Sequence, residues 1–211
     1  ILLYAASPLN TEGLSDSEIQ NLWVEAANAA HDIIAWNKYS LVDDYGSLFT
    51  GNTSSSPEII MSRRSTSSNG LEQANYPIGT PGGNNSLTPS GNLVDAYEYI
   101  GEPDPANPYA NRDKRFYSTI VYNGATWNGR TIDITEGGTD SYKATGASRT
   151  GFYLRKYLTD GLNLSNSQTA AHQWVYFRYA EVLMNYAEAA NEAWGPDDGT
   201  HVATGMTARA A

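Results

Sequence analysis

The chain has 211 residues, 40% of them apolar, which is enough to bury one sizeable core. Its formal net charge is -10 and no run of lysine or arginine is present, so we expect neither nucleic acid nor anionic lipid as a partner. It contains no cysteine, which excludes disulfides and thiolate chemistry, and no run of apolar residues long enough to span a membrane.

Two helices are predicted near the start of the sequence. Residues 1–6 read as the end of a helix that a Ser-Pro pair then stops, because the residue before a proline avoids helical geometry. Ser15 and Glu18 have the spacing of a capping box, and apolar residues then recur at helical steps to about Tyr39. We therefore predict a second helix that begins after Ser15.

The segment from residue 41 to 169 is rich in Gly, Pro, Ser and Asn turn signals, so only short elements fit there. The predicted elements are strands over 58–63 and 118–122, a helix over 93–99, and a hairpin over 121–127 that turns at Asn123-Gly124. Loop-rich spans of this length inside a domain are more often functional than accidental. We therefore expect the ligand site in this segment.

The stretch from His172 to Trp194 contains no Gly or Pro and alternates alanine with aromatic and aliphatic residues, so it predicts one long helix. Its predicted buried stripe consists of Trp174, Phe177, Ala180, Met184 and Ala187. Burying a charged side chain near a packed face costs desolvation free energy, so such residues are usually found in ion pairs. We therefore expect Arg178 and Glu181 to form a structural ion pair and Glu188 to serve the same scaffold.

Metal and nucleophile motifs are missing from the sequence. The three histidines, His31, His172 and His201, are far apart, and none stands four residues from another with a Glu, as in a zinc helix. The Gly-rich runs at 79–83 and 146–151 lack the residues of a phosphate loop and the spacing of a serine elbow. We therefore expect no metal and no cofactor.

Two weaker possibilities stay open. Asp160, Asn163 and Ser165 loosely resemble calcium ligands, but the central glycine and the terminal glutamate of a calcium loop are missing. Carboxylates are plentiful, and a glycosidase needs two of them ~5 to 10 Å apart, which a sequence does not show. A glycoside hydrolase is therefore the catalytic alternative to a non-catalytic protein.

The loops do offer aromatic and amide side chains. Sugars present C–H faces that stack on Tyr and Trp, and hydroxyls that pair with Asn, Asp and Arg. The candidate glycan-binding residues are Tyr76, Tyr109 and Trp127, with Asn75, Asn84 and Asn85 as further candidates. Each ring could instead pack under its own loop, and each asparagine could bond its own backbone.

Tyr76 leads this set of candidates. Pro77 favours an extended backbone before it, and the glycines that follow should keep the loop near the surface. We expect an exposed tyrosine, whose replacement by alanine would weaken glycan binding and hardly change stability.

Eight blocks in chain order resemble the SusD/RagB family, the surface lipoproteins of Bacteroidetes nutrient-uptake systems. They are LLYAASPLN, YSLVDDYGSLF, EIIMSRR, NYPIGTPGG, PSGNLVDAYE, NRDKRFYSTIVYNG, RTGFYLRKYL and FRYAEVLMNYAEAANE. The resemblance covers nearly the whole sequence, but members of the family are longer. It therefore implies that this chain is an internal or C-terminal fragment.

The resemblance implies a mainly α fold in a single SusD-like domain fragment over residues 1–211. A TPR-like α/α helical scaffold would comprise residues 1–40 and 170–195, and a large irregular loop-rich insert with short strands would comprise residues 41–169. Four charged residues match family blocks that we expect to secure the loops by charge-assisted bonds: Asp95, Asp113, Arg115 and Arg149.

The resemblance also implies a function. Such a protein binds an oligosaccharide or polysaccharide at the cell outer membrane, without catalysis, and delivers it to a SusC-like TonB-dependent transporter. Membrane association would come only from an N-terminal lipid anchor that this fragment lacks. The alternative within the family is a peptide-binding, RagB-like uptake protein.

Overall fold

The structure is a computed structural model that describes residues 2–51 and 55–211. It divides into two compact units. Unit 1 consists of Ile1–Val42, Ser56–Met61 and Tyr176–Ala211, and unit 2 consists of Asp43–Ser55 and Ser62–Val175. Of the helices in these described ranges, none has both the length and the apolar character that a bilayer crossing requires.

Helices dominate the regular structure, and the strands are mostly short. The α-helices are α1 (Leu2–Ala6), α2 (Pro8–Thr11), α3 (Asp16–Ala35), α4 (Gly70–Asn75), α5 (Gly91–Asp95), α6 (Lys114–Thr119) and α7 (Tyr179–Trp194), with 3₁₀ turns at Tyr45–Phe49 and Ala208–Ala210. The strands are β1 (Ile59–Arg64), β2 (Ile120–Val121), β3 (Thr126–Trp127), β4 (Arg130–Thr131), β5 (Tyr153–Leu154) and β6 (Gln173–Arg178). They form three two-stranded sheets, β1–β6, β2–β5 and β3–β4.

Unit 1 is built on α3 packed against α7. Small residues form the contact, so the two backbones approach closely. The buried set is Ala26, Ala27, Ala30 and Ile34 on α3, and Val182, Tyr186, Ala189 and Ala190 on α7. The capping box at the start of α3 is confirmed, since the Ser15 and Glu18 side chains each accept a hydrogen bond from the other residue's backbone N–H.

Helix α3 ends earlier than the sequence predicts. Its last residue is Ala35 rather than Tyr39, and Asn37 has a φ of 52°. A residue in the left-handed region just past a helix is a common way for a helix to stop, and asparagine tolerates that region better than most residues.

The prediction of one helix from His172 to Trp194 is wrong in its first part. Residues Gln173–Arg178 form β6, and the helix begins only at Tyr179. The QWVYFR segment consists mainly of aromatic and β-branched residues, which favour strands. A partner strand, β1, is available in the same sheet, and long-range pairing therefore decides against the helix.

The buried stripe predicted for this helix is wrong for the same reason. Trp174, Phe177 and Met184 are all more than 40% exposed. The face of α7 that is buried comprises Val182, Tyr186, Ala189, Ala190 and Ala193. The strand residues do not follow helical steps, so a stripe that begins within the strand does not continue onto the face of α7 that packs.

The sequence predicted an ion pair between Arg178 and Glu181. In the structure, Arg178 pairs with Glu58 instead. The Arg178 Nη1 and Glu58 Oε1 atoms are 2.7 Å apart, and the Glu58 side chain is buried. Glu58 also accepts a hydrogen bond from the Val42 N–H at 2.9 Å, whereas Glu181 and Glu188 are exposed. Arg178 ends a strand, so its side chain does not lie one helical turn from Glu181.

Arg178→Ala is expected to lower the free energy of unfolding by about 3 kcal/mol, because it leaves the Glu58 carboxylate buried without its cation. Glu181→Ala is the matched control and should change it by less than about 0.5 kcal/mol, as exposed side chains usually do. Urea unfolding of both variants measures the difference. Equal losses from the two variants would contradict the assignment of Glu58 as the partner.

The predicted strand over 118–122 and its hairpin also need correction. Helix α6 extends to Thr119, so β2 keeps only Ile120–Val121 and pairs with β5 instead of a neighbouring segment. The hairpin is β3–β4, and it turns at Asn128-Gly129, where both residues have positive φ (50° and 70°) as a tight hairpin turn requires. The Asn123-Gly124 pair forms a separate turn before β3.

The predicted strand over 58–63 is confirmed as β1, and the predicted helix over 93–99 is the shorter α5.

The four charged side chains expected to secure loops to helices form, at most, polar contacts with their sequence neighbours in the described ranges. Asp113 caps α6 and pairs with its neighbour Arg115 at 2.6 Å. Asp95 and Arg149 are exposed and form no ion pair among the residues that the structure describes, so that expectation is wrong for both. Exposed charges keep their hydration and gain little from pairing.

Candidate functional site

A cavity of about 520 Å³ lies in unit 2. Its lining is polar with one large ring and consists of Asp44, Gly46, Ser47, Thr50, Gly51, Ser118, Trp127, Arg155, Leu158, Thr159 and Asp160. The volume is in the range typical of small-ligand sites.

One wall of the cavity is the 3₁₀ turn Tyr45–Phe49. Asp44 starts this turn by accepting a hydrogen bond from the Gly46 N–H at 2.9 Å. A side chain on Gly46 would place its Cβ 3.0 Å from the Ser118 hydroxyl and 3.2 Å from Asp44 Oδ1. The glycine therefore allows this wall to approach Ser118, which also lines the cavity.

A second part of the lining, residues 158–160, is fixed by two buried side chains. Glu72 Oε1 accepts the Thr159 N–H at 3.0 Å, and the Tyr76 hydroxyl donates to the Thr159 carbonyl. His172 Nε2 lies 2.7 Å from the same Glu72 oxygen, and both of these side chains are buried. Both polar groups of the Thr159 backbone are thus fixed by the interior, so the wall is preorganised.

The chemistry of the cavity is that of hydrogen bonding to a polar ligand. Arg155 lies 5.0 Å from the centre of the Trp127 ring and 4.0 Å from Asp160 Oδ2. Asp160 Oδ1 accepts the Asn128 N–H at 2.7 Å. Two buried atoms of lining residues, Trp127 Nε1 and Thr159 Oγ1, have no hydrogen-bond partner within residues 2–51 and 55–211. An unpaired polar atom that is buried costs stability.

Tyr76 is wholly buried, so the expectation of an exposed stacking ring is wrong. Its ring meets Trp127 edge to face at 5.8 Å, inside a cluster that also contains Tyr153 and Leu158. The extended backbone before Pro77 turns the ring inward, where apolar neighbours and the Thr159 carbonyl accommodate both ends of the side chain. Burial raises the pKa of Tyr76 to about 12, so its hydroxyl stays protonated and able to donate.

Trp127 lines the cavity but is only 1% exposed, so it is not the open platform that a turn position suggested. Its ring is covered by Arg155 and Tyr76. Tyr109 is half-buried and packs within 6.2 Å of Phe116, Tyr122 and Phe152, in a different aromatic cluster. Tyr109 does not line the cavity.

The three candidate asparagines donate to backbone carbonyls, Asn75 within its own helix and Asn84 and Asn85 to carbonyls 11 and 61 residues away in the sequence. Asn75 donates to the Leu71 carbonyl, Asn84 to the Gln73 carbonyl and Asn85 to the Gly146 carbonyl, at 2.9 to 3.1 Å. Asn75 and Asn85 are buried, and Asn84 is exposed. None of the three asparagines lines the cavity. Of the six predicted glycan-binding residues, Trp127 is the one that does.

The polar residues of the cavity were missed by sequence reasoning. Arg155 and Asp160 lie in the YLRKYLTD stretch, whose mixture of aromatic residues with charges of both signs is the signal that could have indicated them. The sequence analysis considered Asp160 only as a possible calcium ligand. It lines this cavity, whereas Asn163 and Ser165 line another one. In the described part of the chain, no three His, Asp or Glu side chains cluster as a metal site would require.

Comparison with known proteins identifies related folds. The sequence profile of the SusD family matches residues 57–205. A SusD-like carbohydrate binding protein from Bacteroides fragilis shares 29% identity and a TM-score of 0.68, over 82% of this chain and 37% of that one. A second SusD-like protein from B. fragilis shares 22% identity and a TM-score of 0.68, over 90% and 42%.

Surface glycan-binding protein A from Bacteroides uniformis shares 17% identity and a TM-score of 0.58, over 92% of this chain and 38% of that one, and so shares the fold. The chain spans less than half the length of each of these solved structures. No curated protein sequence matches it.

Proposed function

This chain belongs to the SusD family, and on that premise we propose that it binds carbohydrate, without catalysis, in the cavity of unit 2. The observation that carries the proposal is the cavity lining. A guanidinium, two carboxylates and several hydroxyls surround one indole ring there. Sugar hydroxyls both donate and accept, so they can satisfy such a mixed set.

The 29% identical relative from B. fragilis supports the carbohydrate class, because it is a SusD-like carbohydrate binding protein. The charge of the cavity supports a neutral ligand. The two carboxylates, Asp44 and Asp160, outnumber the single cation Arg155, so the lining offers no net positive charge for a uronate or a sulfated sugar. Peptides are the competing ligand within the family, and a neutral glycan array run against a peptide library distinguishes the two.

Asp160→Asn is expected to weaken glycan binding about tenfold, because it replaces charge-assisted hydrogen bonds to sugar hydroxyls by neutral ones. The amide oxygen can still accept the Asn128 N–H, so the loop should keep its shape. Asp95→Asn is the matched control, since Asp95 is an exposed acid of unit 2 that does not line the cavity. Calorimetric titration with the array-selected oligosaccharide measures both variants.

Equal affinity of Asp160→Asn and the original chain would place the ligand elsewhere. A reducing-sugar assay with the same oligosaccharide tests the non-catalytic part of the proposal. Asp44 and Asp160 are two carboxylates in one cleft, as a glycosidase would need, but each already accepts a backbone N–H. Release of reducing sugar that either Asp→Asn change abolishes would overturn it.

Family membership also supports a cellular role. We propose that the whole protein is a surface lipoprotein of the outer membrane that passes its glycan to a SusC-like TonB-dependent transporter. Co-purification of the full-length protein with such a transporter from outer membranes tests this proposal. Recovery of the protein alone from the periplasm would contradict it.

A further inference from the structure

A pair of aromatic rings, of which one is exposed and the other partly buried, lies in unit 2 outside the cavity lining. Trp174 is 42% exposed, and its ring centre lies 4.4 Å from that of Tyr157 with the two planes tilted by 39°. Phe49 supports Tyr157 edge to face at 5.1 Å. The Lys156 ammonium lies 4.1 Å from the Phe49 ring and donates to the Tyr45 hydroxyl at 3.0 Å. The cation therefore stabilises the base of the cluster and leaves the Trp174 ring open to a ligand.

This ring pair begins at the edge of the cavity. Tyr157 lies in a turn that the Leu158 N–H closes by donating to the Arg155 carbonyl at 3.0 Å. Arg155 and Leu158, the two ends of the turn, both line the cavity. The Cα atoms at the ends of such a turn are less than about 7 Å apart. The Tyr157 ring is thus carried by the same short segment that forms the cavity wall.

The backbone of Tyr157 is strained. Its φ is 70°, a region where a bulky side chain is rare and where turns of this kind usually have glycine. A tyrosine at a glycine position costs stability, and in proteins such strain recurs at ligand clamps.

We propose that Tyr157 and Trp174 form a second sugar-stacking platform, and that the ligand is a neutral oligosaccharide of several units that fills the cavity and continues over the two rings. The inference rests on the proposed function and adds a second binding surface, outside the cavity, to it. Pyranose C–H faces stack on exposed indole and phenol rings. The planes of the Tyr157 and Trp174 rings differ by 39°. Rings inclined in this way suit successive sugars of a curved chain better than they suit one flat ligand.

The test is a chain-length series measured by calorimetry on the full chain. The probes are maltooligosaccharides, xylooligosaccharides and mannooligosaccharides, each from the monosaccharide to the hexasaccharide. For the series that binds, affinity should rise with length, and Trp174→Ala and Tyr157→Gly should each remove about three- to tenfold from the longest members. Both variants should leave the affinity for the shortest binding member unchanged.

Tyr157→Gly relieves the strained turn while it deletes the ring, so a merely structural tyrosine and a binding tyrosine give different results. Tyr157→Phe, which keeps the ring, should bind like the original chain. Tyr142→Ala, the removal of another exposed tyrosine of unit 2 that does not line the cavity, should also leave binding unchanged. Melting temperatures of all four variants show that each is folded.

Loss of affinity for short and long probes alike would overturn the platform, because the rings would then serve the cavity wall. Full retention of long-probe affinity in both ring variants would also overturn it and would leave the exposed rings to a protein partner. Absence of binding to any probe and to a neutral glycan array would reject the proposed function itself, and the platform with it.

Discussion

Tyr76→Ala is expected to lower the free energy of unfolding by about 3 to 5 kcal/mol, the usual cost of truncating a core aromatic. The ring is fully buried and meets Trp127 at 5.8 Å, so alanine leaves a cavity in that cluster. The melting temperature should fall by roughly 6 to 20 °C for a chain of this size. Tyr76→Phe, which keeps the ring, should lose only about 1 kcal/mol for the hydrogen bond to Thr159.

The hydroxyl of Tyr76 adds a pH dependence with a definite sign. Burial raises its pKa to about 12, above the ordinary value of 10. A raised folded-state pKa gives stability that is fully present below pH 10 and is lost as the pH rises from 10 towards 12. Tyr76→Phe should therefore show a shallower loss of stability across this alkaline window. An unchanged melting temperature for Tyr76→Ala, together with weaker glycan binding, would instead make Tyr76 an exposed site residue.

Asp140→Ala is expected to cost a similar amount, about 3 to 5 kcal/mol, because it deletes the anion of a largely buried pair. The Asp140 side chain is inaccessible to solvent, and its two oxygens lie 2.5 and 2.7 Å from Arg130 nitrogens. It also accepts the Gly79 N–H at 3.0 Å. The substitution therefore frees a guanidinium and a backbone donor together, and urea unfolding at neutral pH measures the loss.

The control for Asp140 is Glu136, whose 2.6 Å pair with Lys143 is exposed on both sides. Glu136→Ala should cost no more than about 1 kcal/mol. Burial acts to raise the pKa of Asp140, but the hydrogen bonds and charge of Arg130 outweigh it and hold the pKa below the ordinary 3.8. The stabilisation is therefore complete above about pH 4 and is lost as the pH falls through the lower folded-state pKa. A variant that retained the acid sensitivity of the original chain would contradict this role.

Local patterns predicted those parts of the fold that local interactions decide. The capping box at Ser15 fixes the start of α3 through bonds between residues three apart, and the alanine-rich stretch gives α7 its packing face. The strand β1 also followed from its own composition. The hairpin turn was assigned to the wrong Asn-Gly pair, because both pairs satisfy the same local rule and only the pairing of β3 with β4 distinguishes them.

The candidate site depended far more on the fold. Of the six glycan-binding candidates, only Trp127 lines the cavity, and Tyr76 is core. A turn sequence shows that a loop exists but does not show which side of it faces the interior. The residues that line the cavity come from segments 44–51, 118–127 and 155–160, and no pattern within one of these segments announces the other two.

Sequence blocks in chain order were enough to indicate the family, and the composition argued against nucleic acid and thiol chemistry. Tertiary structure decided the partner of Arg178, a glutamate 120 residues away, and the strand at residues 173–178. It also decided the exposure of Trp174 and the burial of Tyr76. The physical reason is that helix caps and turns are stabilised within a few residues, whereas burial, ion pairs and strand pairing depend on groups that only the folded chain brings together.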